Sequence, residues 1–186
     1  MDRRTLAVTV FIGVVMTAAS YEAFGQRPRR PAQKPRPVAA KPSITVTQID
    51  IDGLAKLLKP RGKPLLINFW ATWCDPCREE FPDLVRLYSE YAGRLDMITV
   101  SLDDLADIDT FVPKFLSEMR SEIPAYLLRT PDESAAIKLV SPNWAGNLPM
   151  TVIYRADGSV SYERNGKFKY DVLKAEIDKA IADRAE

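Results

Sequence analysis

The feature that most constrains the fold is a nearly continuous apolar run, Leu65–Ala71, interrupted only by Asn68. A strand with one solvated face alternates apolar and polar residues, whereas a strand that is apolar on both sides is covered on both faces. Such a run is typical of a central strand in an α/β sheet. The sequence therefore predicts a sheet with helices packed on both of its faces.

The periodic pattern elsewhere supplies further strands and helices for this sheet. Extended segments are predicted over 44–47, 95–100, 125–128 and the hairpin 150–162, which has an Asp-Gly turn. Apolar residues at helical spacing predict helices over 51–58, 74–91, 108–119, 132–139 and 170–181. The stripe over 108–119, which includes Phe111, is assigned to the core, and the helix over 132–139 carries the apolar residues Ala136, Ile137 and Leu139. The element order indicates one α/β domain whose sheet has a parallel portion and an antiparallel edge.

Composition excludes several kinds of chemistry. The chain has no histidine and only two cysteines, which excludes Cys/His metal sites, Ser-His-Asp and Cys-His catalysis, and haem attachment through Cys-X-X-Cys-His. Residues 44–186 carry 18 basic and 23 acidic side chains, a net charge of −5. We therefore expect this acidic body not to bind nucleic acid.

The N-terminal residues have the pattern of an export signal. Arg3 and Arg4 precede an uncharged apolar stretch over 6–19, and small residues follow up to Gly25. We interpret residues 1–25 as a signal peptide cut after Gly25, with an uncleaved membrane anchor as the alternative. Either outcome places the rest of the chain outside the cytoplasm.

A linker is predicted between this signal and the folded domain. Residues 26–43 contain five prolines and six basic side chains, and so little apolar surface that they are not expected to fold. We interpret them as a spacer, with a ligand for an acidic partner as the alternative. The folded domain is then 44–186.

Both cysteines lie in one tetrad, Cys74-Asp75-Pro76-Cys77, directly after the predicted central strand and at the start of a helix. A helix N-terminus has unpaired N–H groups and a partial positive charge, which stabilise a thiolate on Cys74. Cys77 lies one turn further along and can reach the Cys74 sulfur. The spacing predicts a reversible dithiol in which Cys74 exchanges with a substrate disulfide and Cys77 resolves the mixed disulfide.

Other interpretations of the tetrad are weaker. A zinc half-site needs two further nitrogen or sulfur ligands, which the chain lacks, and we predict no metal or other cofactor. A purely structural disulfide would close too small a loop to remove much entropy from the unfolded chain. A peroxidase with one sulfenic cysteine is disfavoured because Cys77 would capture that species.

Residues 65–82, LLINFWATWCDPCREEFP, resemble the active-site segment of the TlpA/ResA-like exported thioredoxins. The resemblance extends over the body from about residue 44, and residues 144–151, WAGNLPMT, stand where that family has its cis-proline loop. It implies a thioredoxin-like fold, with a central mixed sheet flanked by helices on both faces. It further implies that Pro149 is cis, packs against the dithiol and lets the backbone of Leu148 pair with an extended substrate segment. An ordinary loop proline is the alternative.

The resemblance also assigns an acid to the site. Cytoplasmic thioredoxins carry a buried aspartate at the position of Asn68, whereas the TlpA/ResA-like pattern has its acid at Glu80. If Glu80 is partly buried, its pKa rises and it can exchange a proton with Cys77. The alternative is a solvated helix charge, and we expect the neighbours Arg78 and Glu79 to be exposed.

Residues around the cysteines are expected to tune the site and bind substrate. Between the cysteines, Asp75 and Pro76 are the candidate redox-tuning pair, because a negative charge beside Cys74 opposes the thiolate and makes the couple more reducing. Trp73 is the expected exposed contact for partners and Trp70 a core residue, while Trp144 fits either class.

These observations predict an exported thiol:disulfide oxidoreductase of a bacterial envelope. We expect it to be a monomeric dithiol reductant of disulfide-bearing exported proteins, which include cytochrome c or metal-centre maturation substrates in members of the family. A reductant in an oxidising compartment needs recharging, and the resemblance implies a membrane dithiol protein as electron donor. The alternatives are an oxidant or isomerase of the same fold, and a binding module whose dithiol is incidental.

Overall fold

A computed structural model describes residues 44–183. The predicted signal, 1–25, and the predicted linker, 26–43, lie outside the described residues. In the described part of the chain, no helix has the length and apolar character needed to cross a membrane.

Within residues 44–183, six strands and five α-helices follow the predicted order. The strands are β1 Val46–Ile49, β2 Leu65–Trp70, β3 Asp96–Ser101, β4 Ala125–Leu128, β5 Met150–Tyr154 and β6 Val160–Asn165. The helices are α1 Ile51–Leu57, α2 Asp75–Glu90, α3 Phe111–Glu118, α4 Glu133–Val140 and α5 Tyr170–Ala182. The helix predicted over 108–119 begins later than expected, at Phe111. A separate 3₁₀ turn, Leu105–Asp107, precedes it, and the Asp104 side chain caps this turn.

The strands form one mixed sheet in the order β1-β4-β3-β2-β5-β6. The first four strands in this order are mutually parallel, whereas β5 runs antiparallel to β2 and to β6. The central strand β2 is buried along its whole length, as its apolar run predicts. The predicted parallel portion and antiparallel edge are therefore confirmed.

Each face of the sheet carries its own hydrophobic core. On one face, Leu66 and Trp70 of β2 belong to a cluster with residues of α2, α3 and α5. On the other face, Leu65, Ile67 and Phe69 belong to a cluster with residues of α1 and α4. Alternate residues of one strand thus supply both cores, and the prediction of helices on both faces is confirmed.

Two apolar helix residues lie at the surface, and one of them, Phe111, was assigned to the core. Phe111 is 60% exposed and Leu139 is 42% exposed. In α3 the buried residues are Val112, Phe115 and Leu116, and Phe111 lies at the edge of this stripe, at the first residue of the helix. In α4 the buried residues are Ala136 and Val140, and Leu139 lies at the edge of their stripe. The assignment of Phe111 to the core was wrong because the buried stripe is narrower than the apolar pattern.

Candidate active site

The chain leaves the sheet at the end of β2 and enters α2 through the two cysteines. Cys74 is the N-cap residue of α2, and its Sγ accepts a hydrogen bond from the Cys77 N–H at 3.3 Å. Cys74 and Cys77 form a disulfide with their Cα atoms 5.3 Å apart, and both are buried. The structure thus brings the two predicted redox residues together at a helix N-terminus.

The two residues between the cysteines open the helix. Asp75 and Pro76 occupy its first turn, where a proline costs no helical hydrogen bond. Both are exposed. The Asp75 carboxylate therefore lies beside Cys74 but in water, which screens its charge.

Glu80 lies inside the protein, one turn along α2 from Cys77. It is 1% exposed, and its Oε1 accepts a hydrogen bond from the Asn68 side-chain amide at 2.9 Å. Its Oε2 accepts one from the backbone N–H of Phe168 at 3.1 Å. Burial removes water from the carboxylate and raises its pKa from 4.5 to about 7, against the opposing effect of these hydrogen bonds. A group with such a pKa can gain or lose a proton near neutral pH.

Residues distant in sequence hold Glu80 in place. The Asn68 amide donates to Glu80 and also to the Thr151 hydroxyl, at 3.0 Å, on the neighbouring strand β5. On the other side, Lys167 in the loop between β6 and α5 forms an ion pair of 2.8 Å with Glu79 and lowers the pKa of Glu80 through its charge. Sequence reasoning missed Lys167 and Phe168, because no local pattern connects this loop to α2.

Arg78 differs from its predicted place. We expected an exposed side chain, but Arg78 is partly buried, with its guanidinium 5.0 Å from the centre of the Phe115 ring. It also donates a hydrogen bond of 3.3 Å to the carbonyl of Thr72. The aromatic ring and the carbonyl draw the arginine inward, whereas Glu79 is exposed as expected.

The three tryptophans have different environments. Trp73, directly before Cys74, is 68% exposed, whereas Trp70 is fully buried between Phe81 and Phe115. Trp144, which the sequence left open, is buried, and its indole N–H donates to the carbonyl of Asn147 at 2.8 Å. Trp144 therefore stabilises the loop that leads into Pro149.

The loop before β5 has the geometry that the resemblance implied. The Leu148–Pro149 peptide bond is cis, Pro149 is buried, and Leu148 is half-buried against both hydrophobic clusters. The Pro149 carbonyl accepts a hydrogen bond from Gly166 at 2.8 Å. Contact between Pro149 and the dithiol stays a prediction.

Trp73 separates two surface clefts. The first, of about 380 Å³, is lined by Trp73, Asp103, Leu105, Ile137, Trp144 and Leu148 among others. The second, of about 310 Å³, is lined by Thr72, Trp73, Arg78, Phe111, Lys114 and Glu118 among others. Phe111, which the sequence analysis assigned to the core, thus borders the second cleft together with Trp73.

A methyl group at Gly146 is expected to disturb the first cleft. Gly146 has a φ of +87°, and a Cβ there would lie 2.7 Å from Cδ1 of Ile137. Gly146→Ala should therefore lower the free energy of unfolding by about 1–3 kcal/mol, measured by urea denaturation. The same change at Gly93, which also has a positive φ but open space around it, is the control for the backbone effect alone. Equal losses at both positions would show that the contact with Ile137 is unimportant.

Comparison with known proteins assigns this architecture to a family. The family model for the AhpC/TSA family matches residues 39–163. The chain belongs to the AhpC/TSA family. The chain is 29% identical to the thiol-disulfide oxidoreductase ResA of Oceanobacillus iheyensis over 143 residues. The matched region covers 75% of this chain and 70% of that protein. It is 33% identical to the thiol:disulfide interchange protein CycY of Rhizobium leguminosarum over 107 residues, covering 57% and 52% of the two chains.

Solved structures share the fold of this family member. A thiol:disulfide interchange protein of the thioredoxin family from Chlorobium tepidum matches with a TM-score of 0.57 and 23% identity, over 76% of this chain and 98% of that one. A DsbF homologue from Corynebacterium diphtheriae matches with a TM-score of 0.56 and 19% identity, over 68% and 75%. The predicted thioredoxin-like fold and the resemblance to ResA-like proteins are therefore confirmed.

Proposed function

We propose that this protein is a dithiol reductant that acts on disulfide-bearing proteins outside the cytoplasm. The observation that carries the proposal is the Cys74–Cys77 disulfide at the N-terminus of α2, at the end of the central strand. The chain is a thiol:disulfide oxidoreductase, because it combines this redox pair with a thioredoxin-like fold and is similar to relatives that are named for this activity. The proposal concerns the direction of electron flow, the substrates and the compartment.

The proposed reaction transfers two electrons from the reduced protein to a client, meaning a protein whose disulfide it reduces. The Cys74 thiolate attacks one client sulfur, forming a mixed disulfide, and the second client sulfur leaves as a thiolate that takes up a proton. Cys77 then loses its proton, and its thiolate attacks Sγ of Cys74. The client is released with both sulfurs reduced, and Cys74 and Cys77 become a disulfide.

Glu80 is the proposed acceptor of the Cys77 proton. It lies at position i+3 from Cys77 on the buried side of α2. Because burial raises its pKa to about 7, its carboxylate is basic enough to take a proton near neutral pH and acidic enough to return it. Asn68 and Phe168, each donating to one oxygen, hold the group in this position.

Trp73, Leu148 and Pro149 are proposed to bind the client. The exposed indole of Trp73 offers apolar area next to the nucleophile, where it can contact a client without moving. The cis bond at Pro149 places the Leu148 backbone at the end of a loop, where an extended client segment can pair with it. The two clefts beside Trp73 provide room for client side chains next to the reacting cysteine.

The compartment and the electron donor complete the proposal. Residues 1–25 are proposed to export the protein or to anchor it, and residues 26–43 to tether the domain to that anchor. Because an oxidising compartment converts the dithiol to the disulfide, a membrane dithiol protein is proposed to reduce it again. The domain is proposed to act as a monomer without nucleic acid, metal or other cofactor.

The reduction potential of the Cys74/Cys77 couple tests the proposed direction of electron flow. We expect a value near or below about −250 mV, at the thioredoxin end of the scale, when the protein is equilibrated with defined thiol buffers. The charge of Asp75, although screened by water, is proposed to disfavour the thiolate and so to lower this value. A potential near about −120 mV would overturn the role as a reductant and make the protein an oxidant or isomerase with the same site.

A further inference from the structure

A buried carboxylate outside the recognised motifs holds the segment that leads into the cysteines. Asp103 follows β3 and is 5% exposed. Both of its oxygens accept hydrogen bonds of 3.0 Å from the Thr72 N–H, and Oδ1 also accepts one of 2.6 Å from the Thr72 hydroxyl. The Ser101 hydroxyl donates to Oδ2 at 2.6 Å. One side chain thus takes up both donors of Thr72.

Thr72 lies in the short connection between β2 and α2. The Cys74 N–H donates to the Ala71 carbonyl at 3.2 Å, so this connection is a tight turn. The Thr72 carbonyl accepts the hydrogen bond from Arg78, a residue of α2. Thr72 is therefore fixed to β3 through Asp103 and to α2 through Arg78.

The hydrogen bonds to Asp103 have a carboxylate as their acceptor. Its donors are a backbone amide and two hydroxyls, and bonds to an ionised acceptor are shorter and stronger than those between neutral groups. None of the ion pairs in the described part of the chain involves Asp103. The buried carboxylate is therefore satisfied by donors of Thr72 and Ser101, and Thr72 loses these acceptors if the carboxylate is replaced.

We propose that Asp103 is a positioning residue for the thiol exchange: by fixing Thr72, it holds Cys74 at the N-cap of α2 and Trp73 outward. The inference rests on the proposed function, because a fixed Cys74 matters only if its thiolate reacts. The helix N-terminus stabilises a thiolate through N–H groups whose effect falls off within one turn. A turn that is free to shift would move Cys74 away from those groups.

The direction in which the pH profile of Cys74 reactivity shifts distinguishes positioning by Asp103 from simple charge repulsion. Asp75 follows Cys74 in the chain, Arg78 and Glu80 lie further along α2, and Asp103 bonds to Thr72, two residues before Cys74. If Asp103 acted only through its negative charge, its removal would favour the Cys74 thiolate and lower the midpoint of the pH profile of Cys74 reactivity. If Asp103 acts by positioning, its removal weakens the stabilisation by the helix N-terminus and raises that midpoint.

The experiment measures the rate of Cys74 alkylation by iodoacetamide against pH in the reduced full-length protein, with the modified peptide identified by mass spectrometry. Asp103→Asn is expected to raise the midpoint by about one pH unit, which lowers the thiolate fraction at pH values well below the midpoint about tenfold. Thr72→Val, which removes only the hydroxyl donor, should raise it by less, and Thr72→Ser should restore the wild-type profile.

Asp104→Asn is the matched control, because it removes the same charge from the neighbouring residue and leaves the bonds to Thr72 in place. If Asp103→Asn fails to fold, the midpoints of Thr72→Val and Thr72→Ser test the inference without it. A midpoint that falls or stays unchanged in Asp103→Asn and in Thr72→Val overturns the inference, as does an equal rise in Asp104→Asn. Failure of the proposed function would look different: the wild-type protein would not reduce insulin, although the alkylation profiles of the variants still differed.

Discussion

Replacing Cys77 with serine is expected to leave the protein covalently attached to its clients. In the proposed reaction Cys77 attacks the mixed disulfide between Cys74 and the client, whereas a serine hydroxyl at this position cannot displace a sulfur. A species that is transient in the wild-type protein should therefore accumulate. The reduced Cys77→Ser protein, mixed with a disulfide-bearing protein such as insulin, should give a higher-mass band on a non-reducing gel that disappears with dithiothreitol.

The double variant Cys74→Ser/Cys77→Ser is the control, because it has lost the attacking thiol and should form no such band. Turnover should also disappear in Cys74→Ser alone. A Cys77→Ser protein that forms no adduct while Cys74 still reacts with small reagents would contradict the proposed mechanism. It would favour the alternative that the domain binds partners without exchanging disulfides.

The carboxyl group of Glu80 is expected to make the oxidised protein less stable as the pH rises from about 4.5 to about 7. Its folded pKa of about 7 lies above its ordinary value of 4.5, so between these values the folded state binds more protons than the unfolded state. This group should therefore lower the free energy of unfolding by about 3 kcal/mol over that range, with no further loss above it. Denaturant unfolding at a series of pH values measures the slope.

Glu80→Gln should remove this part of the pH dependence, because an amide does not titrate. Glu122→Gln, at an exposed position, is the matched control and should keep the wild-type slope. The oxidised protein is the right sample, since the two cysteines do not titrate while they are joined. Parallel profiles for the wild-type protein and Glu80→Gln would mean that the buried carboxyl group titrates as it would in water.

Much of the fold follows from local patterns in the sequence. The apolar run that became β2 needed no tertiary information, since only a central strand can bury both sides of the chain. The Asp157-Gly158 pair likewise fixed the turn of the β5–β6 hairpin, where Gly158 has a φ of +90°. Helix boundaries were less predictable, and Phe111 shows why: an apolar residue at the end of a stripe can lie on either side of the core boundary.

The site was predictable where it is local in sequence. Cys74 and Cys77 form a motif, and a signal for the burial of Glu80 is present because Cys77, Glu80, Phe81 and Leu84 lie on one face of α2. The contacts of Asp103 with Thr72 and of Phe168 with Glu80 join residues 31 and 88 positions apart. Such contacts depend on the order of strands and the packing of loops, which no local pattern encodes.

The outermost strand of the antiparallel edge has a consequence for how the protein meets other chains. Among the strands of residues 44–183, β6 pairs with β5 alone, so its other side is an edge of the described sheet. An open edge of this kind invites the uncontrolled addition of foreign strands and the growth of fibres. Glu163 and Arg164 are exposed there, and charged side chains on an edge strand discourage such addition. The addition of extended segments of other chains along this rim of the sheet is therefore disfavoured.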